Sequence, residues 1–278
     1  MSRICGAVGQ DIGKLVLASR YGTGQLTWFS VPFTLMQRVQ RLLGTASGIL
    51  FPRIARLSKS GDSAQVSETY RRAQKALIPV AIAMTVPLGA AAKPFLSAWI
   101  SPEFADHAWQ PMTVVAVAFA ISGAGVGFVQ TLLGLGQSRS VFYIEVCHVI
   151  INTSLLFPLT GMFGVTGAAL SYLAGWLSLG VGQWVVSKHL GADASRGIGK
   201  LLAVTATLTA PVAVAVHLTA AQLTPLGVLG SLSAAGLGTC TILGGLALSP
   251  WAFGQDAAIA HELRGAPGRL LARLRRRG

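Results

Sequence analysis

Of the 278 residues, 52% are hydrophobic and only 11% are charged, with 33 glycines; soluble domains carry roughly 25% charged residues. This excludes a disordered chain, which needs low hydrophobicity, and argues against a soluble two-domain enzyme. The net charge of +13, from 22 Lys and Arg against 9 acids, would suit nucleic acid in a soluble protein. Here the charges sit between apolar runs and in the tail, where membrane topology accounts for them, and no nucleic-acid partner is expected.

The apolar runs are about 20 residues long, the length of a helix that crosses a bilayer. They predict an all-α fold, a polytopic transmembrane helix bundle of about eight spans. The first segment, Ile4 to Ser19, is short and interrupted by Gln10, Asp11 and Lys14. The second, Leu26 to about Leu57, is long and carries charge. Six cleaner ones follow: Ala76 to Ile100, Met112 to Leu135, Val141 to Phe163, Thr166 to Ser187, Leu201 to Gln222 and Leu226 to Leu248. The organisation expected is a helix bundle over residues 1–190, two additional C-terminal spans over 191–249, and a basic tail over 250–278.

The connecting stretches alternate in charge. Arg53, Arg56, Lys59, Arg71, Arg72 and Lys75 fill one; SPEFADHAW holds Glu103 and Asp106 with no base; then come Arg139, an uncharged GMFGV turn, Lys188 with Arg196 and Lys200, and an uncharged TAAQLTPLG. Bases gather at every second connection and in the tail, from Arg264 to Arg277. That pattern places these stretches and both termini in the cytoplasm, with Arg20 as the one residue out of step. The tail GRLLARLRRRG reads either as a solvated anchor or as an amphipathic helix on anionic lipid.

Cys5, Cys147 and Cys240 are far apart and show no metal or disulfide spacing, and HExxH, GxSxG and phosphate-loop motifs are absent. No catalytic residue, metal or cofactor is expected.

Segment two carries the informative residues. Arg38 lies about 18 Å along a helix counted from Leu26, near mid-bilayer, and two central arginines facing lipid cost about 5–7 kcal/mol. Thr34, Gln37, Arg38, Arg41, Thr45 and Gly48 recur in steps of three and four, so they share one helical face. Such a stripe belongs in a wet interior, where an arginine fork suits phosphate; the other reading makes segment two a pair of shorter helices with the arginines at an interface. Arg38 and Arg41 are the candidate anion-binding residues, Gln37 a hydrogen-bonding helper and Lys14 a third cation facing the same space. Asp11 is a candidate counter-ion for Lys14, and Lys93 is expected to snorkel to the interface. Glu145 and His148, at i and i+3, read either as an ion-coupling pair or as a hydrogen-bonded packing pair. Prolines within spans and the Gly123/Gly127 spacing predict kinked helices in close contact.

Three stretches carry a family resemblance: LFPRIARLSKSGDSAQVSETYRRAQKAL (Leu50 to Leu77), TLLGLGQSRS (Thr131 to Ser140) and FGVTGAALSYL (Phe163 to Leu173). In order, spacing and inferred sidedness the chain resembles the polysaccharide flippases, the O-antigen and exopolysaccharide repeat-unit exporters of the MOP superfamily. The likeness covers roughly residues 10 to 190. It implies one lobe of a two-lobed transporter plus two extra helices, with the N-terminal lobe missing, so a fragment or a split transporter is expected. It implies no enzyme but a multi-pass flippase of the bacterial cytoplasmic (inner) membrane. The implied cargo is an anionic oligosaccharide on a polyprenyl diphosphate, moved to the outer leaflet among membrane lipids, with polysaccharide assembly proteins as candidate partners. The alternatives are a multidrug or lipid-precursor exporter of the same superfamily, or a non-transporting subunit of an assembly complex.

Overall fold

The computed structural model describes the backbone of residues 2–48, 50–191, 198–223 and 227–248, and the side chains of these apart from residues 2–12, 21, 46, 200 and 246–248. The basic tail, Cys5, Arg196, and the side chains of Asp11 and Lys200 therefore lie outside the described residues. Every regular element is a helix: α1 (Ser2–Ser47), α2 (Leu50–Lys59), α3 (Ser63–Ala90), α4 (Ala92–Trp99), α5 (Pro102–Gly134), α6 (Ser138–Phe163), α7 (Val165–Gly175), α8 (Ser178–Leu190), α9 (Ile198–Gln222) and α10 (Gly227–Leu248).

Helices are what a bilayer demands, because they satisfy their own backbone hydrogen bonds. Among the described residues six stretches are long and apolar enough to cross: Ser63–Ala90, Pro102–Gly134, Ser138–Phe163, Val165–Leu190, Leu201–Gln222 and Gly227–Gly245. Each overlaps one of the six cleaner segments of the sequence, whereas α1, which holds the first of the eight expected spans and most of the second, is not among them. The first two expected segments fall in α1, whose arms meet at Gly22, where φ 84 and ψ 178 break the helix. Only glycine adopts such a conformation without strain. Segment two ends earlier than expected, since the break at 48–50 separates α1 from the short basic α2. That break lies beyond Arg38 and Arg41, so both stay on one continuous helical arm.

Helix α3 begins thirteen residues before the expected span. Its polar first turns carry no hydropathy signal, but Asp62 caps them, its Oδ1 accepting from the Gln65 N–H at 2.9 Å. Glu68 there pairs with Arg71 and, at 2.7 Å, with Arg72. The expected third span is broken at Ala91 into α3 and α4.

Helix α5 sits at the centre and touches α1, α2, α3, α4, α6, α7 and α8. Glycines make this possible. A Cβ on Gly123 would lie 2.3 Å from the Ala81 Cβ, and one on Gly127 2.5 Å from the Gln74 Oε1, both on α3; one on Gly125 would meet the Trp176 ring at 2.8 Å and one on Gly134 would meet Ile54 of α2 at 2.8 Å. The Gly123/Gly127 spacing thus does what the sequence predicts and seats α3 against α5.

The main core gathers Leu17, Phe29, Phe33 and Met36 of α1 with Phe95, Met112, Phe119 and Tyr172. Phe33 is its hub, with ring centroids 5.5 Å from Phe119 and 4.9 Å from Tyr172. A second core holds a buried polar link: the Tyr70 hydroxyl donates to Gln183 Oε1 at 2.7 Å, and Gln74 Nε2 donates to Tyr70 at 2.8 Å and to the Ala124 carbonyl at 3.0 Å. Large apolar side chains such as Ile150, Phe157, Met162, Leu218 and Leu237 are exposed, as a lipid-facing surface requires.

The α9/α10 hairpin docks on α3 and α4 through groups that prolines leave free. Pro87 has no N–H for the carbonyl of Ala83, and Pro94 none for Ala90. The Thr239 hydroxyl lies 2.8 Å from the Ala83 oxygen, and His217 Nδ1 lies 3.0 Å from the Ala90 oxygen. Gly238 permits the approach, since a Cβ there would fall 2.4 Å from Val216 and 3.2 Å from Pro87.

Candidate functional site

The second arm of α1 has two faces of opposite character. Phe29, Phe33, Met36 and Leu43 are buried in the bundle, while Thr27, Thr34, Arg38, Arg41 and Thr45 are all exposed. The helical period places these polar residues in a stripe on the side away from the core. Neither arginine has a carboxylate partner among the described residues.

The two arginines have different surroundings. Arg41 leans along its own helix, Nη2 3.5 Å from Gln37 Oε1, and its carbonyl accepts from the Thr45 hydroxyl at 2.9 Å. Arg38 borders an open groove of about 360 Å³ shared with Ser30, Val31, Thr34, Leu35 and Trp99. Trp99, at the end of α4, gives this groove an aromatic wall. Lys14 of the first arm lies with its ammonium 5.3 Å from the centroid of the Phe33 ring. Phe33 belongs to the buried face of the second arm, and Lys14 is not among the residues lining the Arg38 groove. Lys93 forms an exposed pair with Asp106 at 2.9 Å.

Glu145 and His148 lie elsewhere, in a cavity of about 260 Å³ between α1, α5, α6 and α7. Its walls include Gln40, Gly44, Gln130, Tyr172, Trp176 and Ser178. The His148 ring stands edge-on to Tyr172 at 5.6 Å and to Trp176 at 4.9 Å. It fits because residue 175 is glycine; a Cβ there would lie 2.8 Å from the imidazole Cε1. The i, i+3 pair was visible in the sequence, whereas Gln40, Tyr172, Trp176 and Ser178 come from three other parts of the chain. The structure thus separates Arg38 and Arg41 from Glu145 and His148, which meet different faces of the same arm of α1. Among the described residues no group of three His, Cys, Asp or Glu could hold a metal ion.

The sequence model of one family, described as Lipid II flippase MurJ, matches residues 12–238. That stretch runs from the first arm of α1 into α10 and contains both groups. No curated protein and no solved structure matches the chain. The match keeps the superfamily of the sequence resemblance and supplies a lipid II description where the likeness pointed to polysaccharide repeat units. The match covers most of an all-helical bundle with six stretches long and apolar enough to cross a membrane among its described residues: the chain belongs to the MurJ lipid II flippase family of the MOP superfamily, whose members are lipid-linked precursor transporters and not enzymes.

Proposed function

We propose that this chain moves a glycan headgroup on a polyprenyl diphosphate from the cytoplasmic to the outer leaflet, with Arg38 and Arg41 as the residues that receive the diphosphate. One observation carries the reading: two arginines with no acidic partner among the described residues lie on the exposed face of a helix whose other face is buried in an aromatic core. Left against lipid, the pair costs about 5–7 kcal/mol. Against water and a diphosphate, the same groups lower the barrier that keeps the headgroup out of hydrocarbon. Gln37 steadies Arg41, and Lys14, on the first arm of the same helix, adds positive charge to α1. Trp99 offers the Arg38 groove a ring for the apolar side of a sugar or for the lipid stem.

Lipid II is the cargo the family description favours. O-antigen or exopolysaccharide repeat units carried on the same kind of diphosphate would meet the same two arginines, since guanidinium groups read the phosphates and leave the sugar unread. The alternation of basic stretches supports a cytoplasmic position for both termini, and the proline- and glycine-broken helices give the bundle places to bend between inward- and outward-facing arrangements.

The test is reconstitution of the chain in liposomes with a fluorescent polyprenyl-diphosphate sugar in the inner leaflet, and comparison with the Arg38→Gln/Arg41→Gln variant. A charge-assisted hydrogen bond is worth about 1.5–3 kcal/mol, so each arginine is expected to contribute about tenfold or more to the rate. Full activity in the double variant, at equal insertion, refutes the assignment.

A further inference from the structure

The outward faces of α6 and α8 repeat one arrangement at the same end of the bundle. On α6, Arg139, Tyr143, Ile150 and Phe157 are exposed and recur in steps of four and seven, which puts them on one face. On α8, Val181, Trp184 and Lys188 are exposed and recur in steps of three and four. Each stripe reads, from the helix end inward, as a base, an aromatic ring one turn deeper, and then apolar groups. Helix α6 begins at Ser138 and α8 ends at Leu190, the limits of two stretches long and apolar enough to cross a membrane. At 1.5 Å per residue the bases lie about 1.5 and 3 Å from those ends, and the rings about 7.5 and 9 Å. The helices touch, and Val141 and Ile144 of α6 share a buried core with Val186 of α8, so the two ends lie side by side.

That order of depth is the order of a leaflet: phosphates outermost, then the level where Trp and Tyr collect, then acyl chains. The rings are not packed into the protein, since Tyr143 is 67% and Trp184 63% exposed. The Lys188 ammonium lies 5.6 Å from the centroid of the Trp184 ring, which holds the charge close to the aromatic level. No carboxylate pairs with Arg139 or Lys188 among the described residues. Glu145, also on α6, is about 120° round the helix from Arg139 and borders the inner cavity instead. The charge alternation supports a cytoplasmic position for this end. We propose that the α6/α8 face binds an anionic glycerophospholipid of the cytoplasmic leaflet, with Arg139 and Lys188 on its phosphate and Tyr143 and Trp184 beside its glycerol and upper acyl chains.

A soluble anion would use the two bases and leave the rings and the apolar stripes beyond them without a role. A phospholipid uses both parts, because its phosphate is tied to the level of the bases and its chains to the level of Val181 and Ile150. The face is separate from the proposed cargo path, since the Arg38 groove is lined by α1 and α4 alone. The site therefore stands whether or not Arg38 and Arg41 receive a diphosphate. A base near an anionic lipid surface contributes about fivefold to binding, so removing both should weaken it about twentyfold.

The experiment is native mass spectrometry of the full chain in detergent, titrated with dioleoylphosphatidylglycerol or dioleoylphosphatidylcholine, which share their acyl chains and differ in net charge. The wild type should hold phosphatidylglycerol more tightly. Arg139→Gln/Lys188→Gln should lower that affinity about twentyfold and leave phosphatidylcholine binding within about twofold. The charge-conserving Arg139→Lys/Lys188→Arg should keep most of it, and Trp184→Leu should weaken both lipids. Two controls remove two bases elsewhere: Arg53→Gln/Arg56→Gln on α2, at exposed positions, and Arg38→Gln/Arg41→Gln on α1. Both should change phosphatidylglycerol binding by less than about twofold, with circular dichroism confirming equal helix content in every variant. The proposal is overturned if Arg139→Gln/Lys188→Gln binds phosphatidylglycerol like the wild type, or if Trp184→Leu leaves both lipids unaffected. An equal loss in the α2 control makes the attraction one of net charge, and an equal loss in the α1 control moves the lipid to the arginine stripe; either result also overturns it. So does displacement of the bound lipid by millimolar inorganic phosphate, which would make the bases a site for a soluble anion.

Discussion

Replacing Gly123 with alanine tests whether small residues set the distance between the central helices. The new methyl would sit 2.3 Å from the Ala81 Cβ and 3.3 Å from the Leu77 carbonyl oxygen, whereas carbon atoms rest about 3.5–4.0 Å apart. Helices α3 and α5 must therefore separate by more than about 1 Å at their crossing, or their side chains must leave favoured rotamers. Overpacking of this kind costs about 1–3 kcal/mol, offset in part by the roughly 1 kcal/mol by which alanine exceeds glycine in helix propensity. The net loss expected is about 1–2 kcal/mol. Gly236 is the matched control, because it lies mid-helix in α10 and a methyl added there would meet nothing within 4 Å; Gly236→Ala should be neutral or stabilising by up to about 1 kcal/mol. Denaturant titration in detergent, followed by far-UV circular dichroism, measures both. Ala81→Gly removes the clashing atom, so the double-mutant cycle with Gly123→Ala should show a favourable coupling of about 1–2 kcal/mol. Equal behaviour of the two alanine variants, or no coupling with position 81, would refute the reasoning.

Other expectations concern polar links. Tyr70→Phe deletes the hydroxyl that donates to Gln183 and accepts from Gln74, leaving buried amide groups unsatisfied; the same unfolding assay should show a loss of about 1–3 kcal/mol. Thr239→Val removes the donor to the Ala83 carbonyl that Pro87 leaves free, and should cost about 0.5–2 kcal/mol, with earlier proteolysis of the α9/α10 hairpin as a second readout. Lys93→Gln breaks an exposed pair with Asp106 and should change stability by under about 1 kcal/mol, less still at high salt. For sidedness, cysteines placed at the exposed residues Ser60 and Glu103 should differ in intact cells, with only the one at 103 labelled by an impermeant reagent.

The bundle was legible in the sequence where hydropathy alone decides it. Lipid imposes helices on apolar runs, and each of the six cleaner runs overlaps one of the six stretches long and apolar enough to cross. The breaks were less visible. Gly22 is one of 33 glycines, and only its backbone angles separate it from the rest; the break at Ala91 depends on how α3 and α4 cap against α9. The polar start of α3 lay outside the apolar run read as a span because its buried residues, Val66, Tyr70 and Gln74, come one per turn among residues that face water. For the site, the arginine stripe was readable from its steps of three and four. The groove wall at Trp99 was not, since 61 residues separate it from Arg38. Glu145 and His148 were found by spacing, but the rings and amides around them are brought in by tertiary packing that no local pattern records.

The central claim is that the polar stripe of α1 faces a hydrated cationic path. Its most direct test is reactivity toward a membrane-impermeant anionic thiol reagent in a chain whose Cys5, Cys147 and Cys240 are replaced by serine. Thr34→Cys and Thr45→Cys, flanking the arginines, are expected to react, and to be protected by a soluble diphosphate diester, while Ile150→Cys and Leu237→Cys on the apolar surface stay unlabelled. If the two threonine positions are as unreactive as Ile150, the arginines face acyl chains and the account of anionic cargo is wrong.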